Sequence, residues 1–104
     1  MEELRQLKIG RACYRVRHRN LDQDLYGQIH LGRRLLDLAD DLEGEEAAYA
    51  TLHEALHGIW DARGVAVQAR EETVVTNLAW GLVALFRDNP GLLSHLDSLL
   101  KESR

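Results

Sequence analysis

One cysteine, Cys13, is all the chain has, so no intramolecular disulfide can staple it. A reducing, cytoplasmic setting is the expectation. Proline occurs once, at position 90, and no internal repeat, low-complexity tract or interdomain linker interrupts the sequence. No apolar run approaches the roughly 18 residues that a membrane span needs, so no membrane partner is expected. The opening residues, Met1-Glu2-Glu3-Leu4-Arg5, lack an apolar core and a small-residue cleavage site, so no secretory signal is expected either. Nor is there a basic excess: 13 Lys and Arg face 17 Asp and Glu, for a net charge of -4. That total does not suggest nucleic-acid binding.

What remains is a globular balance, 45% hydrophobic and 29% charged over 104 residues. The length fits a single domain spanning 1–104, able to bury a core of modest stability to which a bound metal would add. Charge is unevenly spread. Residues 1–20 carry six basic and two acidic side chains, residues 21–54 two basic and nine acidic.

Residues 7 to 18 alternate, with Ile9, Ala12, Tyr14 and Val16 against Arg11, Arg15 and Arg17, the period of a half-buried strand. Asn20 to Asp24 reads as a turn. A second strand follows, with Leu25, Gly27, Ile29 and Leu31 on one face and Tyr26, Gln28 and His30 on the other. Gly32-Arg33 turns the chain into a short strand from Leu35 to Leu38. A long helix is predicted from about Gly44 to Ala62, alanine-rich, with Glu45 and Glu46 in its first turn and Gly64 beyond its end. Its stripe of Ala48, Leu52, Ala55 or Leu56, and Ile59 should face the core. After a loop over 63–70 comes a helix from Glu71 to Arg87, apolar on most sides and expected to be well buried. Asp88-Asn89-Pro90 supplies a cap with proline at the first position of a last helix. That helix has a stripe of Leu92, Leu93, Leu96, Leu99 and Leu100.

The chemistry-bearing segment is Thr51-Leu52-His53-Glu54-Ala55-Leu56-His57-Gly58, which contains His-Glu-x-x-His inside the first helix. Four residues is slightly more than one helical turn, so both imidazoles project from one face and can share a tetrahedral metal. Glu54, at the edge of that face, is better placed to take a proton from a metal-activated water than to ligate. A catalytic zinc needs a third protein ligand, and no histidine follows closely. Glu71 and Glu72 do follow, after a stretch of 14 residues that can close a helix hairpin. Either acid could equally serve the helix dipole, and helical geometry alone does not choose between them.

The segments Thr51-Leu52-His53-Glu54-x-x-His57-Gly58-Ile59 and Glu72-x-x-x-Thr76-x-Leu78-Ala79 resemble the minigluzincins and the related ImmA/IrrE-type metallopeptidases. The resemblance covers roughly residues 25 to 90. It implies an α+β, zincin-like fold: a small twisted N-terminal sheet packed on an active-site helix, a glutamate helix and a C-terminal helix. It also selects Glu72 as third zinc ligand beside His53 and His57. The implied activity is zinc-dependent hydrolysis of a peptide or protein substrate, with Glu54 as general base. The alternative is a non-catalytic or self-inhibited zincin-fold regulatory protein, with Lys101 to Arg104 as the blocking segment. Thr76 departs from the family, where Asn or Asp often orients a zinc-binding histidine.

Other residues admit two readings each. His95 stabilises an oxyanion or is a surface histidine, and Tyr26 with His30 lines a peptide rim or faces solvent. The row Arg11, Arg15, Arg17 and Arg19 protects a strand edge or meets nucleic acid or an acidic partner. Cys13 interrupts that row, through a local bulge or as a buried thiol. Trp60 and Trp80 read as core anchors.

Overall fold

The alternation over residues 7 to 18 forms a hairpin in place of one strand. β1 (Gln6–Ile9) and β2 (Ala12–Arg19) pair antiparallel, with Ile9 opposite Ala12. The two residues between them turn on Gly10, whose φ of +62° is the left-handed value that a II′ turn puts at its first central position. The turn moves the apolar phase from odd to even numbers, so Leu7, Ile9, Tyr14 and Val16 share the inner face. Cys13 therefore stands exposed in the arginine row, neither in a bulge nor buried.

The computed structural model describes residues 3–22, 24–66 and 69–104. Gln23 in the expected turn, Val67 and Gln68 in the expected loop, and the side chain of Val75 lie outside what is described. β3 (Gly27–His30) and β4 (Leu35–Ala39) complete a four-stranded mixed sheet in the order β1-β2-β4-β3. β4 runs parallel to β2 and antiparallel to β3. β2 is thus an interior strand, and its arginines line the sheet's outer face, so edge protection does not account for them.

Three helices follow: α1 (Gly44–Ala62), α2 (Glu71–Asp88) and α3 (Leu92–Lys101). Leu36 and Leu38 of β4 meet Ala48, Ala55 and Ile59 of α1, Leu85 of α2, and Leu92, Leu96 and Leu99 of α3 in one core. Each large side chain fully buried there contributes about 1.5–3 kcal/mol relative to exposure. Leu93 and Leu100 leave the expected α3 stripe and are exposed. α2 departs further from expectation. Trp80 and Val83 are 61% and 56% exposed, so Trp80 is no core anchor, while Trp60 is half-buried.

Three side chains distant in sequence from their partners close the fold. Asn89 does not cap α3 but ends α2 as its C-cap: it accepts from the Lys8 N–H (2.9 Å) and donates to the Lys8 and Leu85 carbonyls (both 2.8 Å). It thereby satisfies outward backbone groups of edge strand β1. Helix α3 instead starts after Gly91, two residues later than the proline signal suggests. At the start of α1, Glu43 makes no side-chain cap; Glu102 accepts from the Gly44 N–H (3.0 Å) and Ser103 from the Glu45 N–H (2.8 Å). The C-terminal segment thus caps α1 at its amino end, about two and a half turns before His53.

Candidate metal centre

Helix α1 lies close against the sheet because small residues occupy the contacts. A Cβ on Gly58 would fall 2.8 Å from the Ile9 side chain. One on Gly27 of β3 would fall 2.9 Å from the Asp37 carbonyl and 3.0 Å from Cγ of Glu54. This approach buries Glu54, 5% exposed, between α1 and β3. The adjacent face of the same helix points outward. Tyr49, His53 and His57, spaced four apart, form a row of rings with centroids 5.4 and 4.9 Å apart.

His53 Nδ1 lies 2.8 Å from Glu54 Oε2. With the proton on Nδ1 donated to that carboxylate, Nε2 keeps its lone pair for a metal. Among the described residues, His53, Glu54 and His57 offer ligand atoms all within 4.8 Å of one another. Two imidazole nitrogens and a carboxylate oxygen are donors that zinc accepts, so these residues fit that ion.

Glu72 does not join them. It is exposed in the first turn of α2, where its carboxylate accepts from Thr76 Oγ1 at 3.3 Å, and Glu71 beside it is exposed too. The helix register explains the separation. Arg63 Nε donates to Asn77 Oδ1 at 2.9 Å, and Gly81 faces Ile59, so α1 and α2 run antiparallel. In that register His57 is level with Val83, eleven residues past Glu72, or on the order of 16 Å along α2. A glutamate side chain does not span that distance. Thr76 accordingly hydrogen-bonds Glu72 and no histidine.

A cleft of about 530 Å³ opens beside His53 and Glu54, walled by Tyr49 on one side and by Asp24 to Gly27 on the other. The Tyr26 ring stands edge-on to Tyr49 at 6.1 Å, bringing a second phenol to this cleft. Tyr49 carries a signal in the sequence, an aromatic one helical turn before His53. The segment containing Tyr26 leads into β3, an edge strand whose other side faces β4.

His30 and His95 belong elsewhere. His30 Nε2 turns to the outer face of the sheet, 3.2 Å from Asp37 Oδ2. Asp37 is fully buried there and also accepts from Arg17 Nε (2.6 Å), Arg17 Nη2 (3.0 Å) and Gln28 Nε2 (3.0 Å). Burial pushes its carboxyl up, but the hydrogen bonds from Arg17, Gln28 and His30 and the Arg17 charge outweigh that. They hold it at about 2, against an ordinary 3.8. An acid inside the apolar run Leu35-Leu36-Asp37-Leu38 is the sequence mark of this network. His95 is half-buried on α3 and lines a separate cavity of about 180 Å³ with His18, Thr51 and Asp40. Burial, then the neighbouring His18, lowers its pKa.

No protein-family model matches the chain, and no curated protein or solved structure matches it.

Proposed function

We propose that the chain is a zinc-dependent hydrolase of peptides whose metal is held by two protein ligands, His53 and His57, one fewer than catalytic zinc usually takes, with Glu54 as general base. The observation that carries this reading is the gathering of two imidazoles and one buried carboxylate within 4.8 Å, with His53 and Glu54 on the wall of an open cleft. Zinc bound there would supply a Lewis acid for a carbonyl oxygen and would acidify water. Glu54 would accept the proton on its carboxylate. Burial against Gly27 fixes that side chain, so little ordering is needed at the moment of reaction. The edge strand β3 beside the cleft offers backbone groups to which an extended peptide could pair. Tyr26 and Tyr49 would flank that peptide and supply hydroxyl donors for developing negative charge.

A second reading is favoured by the position of Glu72. With that residue out of reach, Glu54 is the carboxylate nearest the histidine pair and serves as third ligand. The protein then binds metal without turning over peptide. Glu54→Gln separates the two. Retained zinc with loss of peptide cleavage supports the hydrolase; loss of zinc assigns Glu54 to the metal and overturns the catalytic role.

A further inference from the structure

Helix α2 has two faces, and the fold uses one. Asn77, Gly81 and Leu85 point inward, to Arg63, to Ile59 and into the core. On the opposite side Glu72, Thr76, Ala79, Trp80, Val83 and Arg87 are all exposed. At 100° per residue these six fall in a stripe about 100° wide, the width of a packing face. Its centre is apolar, with Trp80 61% and Val83 56% exposed, and its two ends carry opposite charges.

That order of residues is self-complementary. If a second α2 is laid antiparallel across the first, with a two-fold axis between Ala79 and Trp80, each residue meets a matching one. Glu72 is level with Arg87 of the other copy, Thr76 with Val83, and Ala79 with Trp80. Acid meets base at both ends, and the inner levels bring together small, β-branched and aromatic side chains without a charge among them. Such a pattern is what an isologous contact requires, since the same patch must serve as both partners. The first-turn acid and last-turn base also suit the dipoles of the paired helices. Arg87 is already held by Asp88, Nε to Oδ1 at 2.9 Å and Nη2 to Oδ2 at 3.0 Å, which limits the conformations its guanidinium must lose on pairing.

We infer that the outer face of α2 binds a second copy of this chain, forming an antiparallel two-fold dimer centred on Ala79 and Trp80. Glu72 is then an interface residue, which gives it a role independent of any metal. An 18-residue helix is about 27 Å long, so the contact is a modest one and the dimer is expected to be of micromolar strength.

Sedimentation equilibrium in the presence of chelator tests this without involving the metal. The wild-type chain of 11.8 kDa should approach twice that mass as its concentration rises through the micromolar range. Trp80→Glu should weaken association by at least about a hundredfold, because it sets two like charges beside the axis. Glu72→Arg alone and Arg87→Glu alone should each weaken it about tenfold, while the double reversal should return to within about threefold of wild type. Circular dichroism establishes that each variant is folded. A wild type that stays monomeric, a dimer indifferent to Trp80→Glu, or a double reversal no better than the singles overturns the proposal. The first of these outcomes leaves the α2 face to a different protein partner.

Discussion

Asp37→Asn isolates the contribution of one buried charge. The carboxylate is fully buried on the outer face of β4 yet accepts four hydrogen bonds, two of them from Arg17. Its pKa of about 2, against 3.8, implies that the folded state prefers the ionised form by about 2 kcal/mol. Because the folded value is the lower one, this stability is present above about pH 4 and is lost as pH falls toward 2. The amide keeps the shape but removes the charge and leaves one nitrogen facing donors. Urea unfolding at pH 7 should show a loss of about 2 kcal/mol, or a Tm lower by roughly 8–16 °C for a domain of this size. The wild-type excess over the variant should shrink as pH falls from 4 to 2. A variant within about 0.5 kcal/mol of wild type at pH 7, or one whose deficit is unchanged at pH 2, would refute the reasoning.

Three more outcomes follow from particular contacts. Gly27→Ala places a methyl group against the Asp37 carbonyl and Glu54 Cγ, so it should weaken zinc binding and cost about 1–3 kcal/mol, read by chelator competition and urea melts. Replacing both Glu102 and Ser103 by alanine uncaps α1 and should cost about 1–2 kcal/mol while leaving zinc affinity within about twofold, since the caps lie far from His53. Glu72→Gln should change zinc affinity no more than Glu71→Gln does; a strong loss confined to Glu72 would show that α2 shifts to deliver it to the metal.

How much of this was legible in the residues depends on the range of the interaction that decides each feature. Helix α1 occupies the predicted Gly44 to Ala62, because alanine content, first-turn acids and Gly64 are local signals. The same holds for the His53, Glu54 and His57 group, whose assembly needs only one turn of helix. The hairpin at Gly10 left a trace in the odd step from Ile9 to Ala12, but a two-residue turn hides inside an alternating run. The burial of α2 was not legible, because an all-round apolar helix does not reveal which side meets the core. Glu72 is the instructive case. Its spacing from His57 permits a hairpin, but the register is set by Gly81 against Ile59 and Arg63 against Asn77, contacts between elements that no local pattern encodes. The caps supplied to α1 by Glu102 and Ser103 are equally long-range.

The most direct test of the functional account is the metal content of the purified protein, measured by plasma mass spectrometry after dialysis against zinc and again after chelator. The wild type should carry about one zinc per chain, and His53→Ala and His57→Ala should each lose it while remaining folded. Zinc at a hundredfold excess over its dissociation constant should also stabilise the wild type by about 2.7 kcal/mol, and neither variant. A wild-type protein that takes up no zinc, or one that keeps it when both histidines are replaced, would contradict the account.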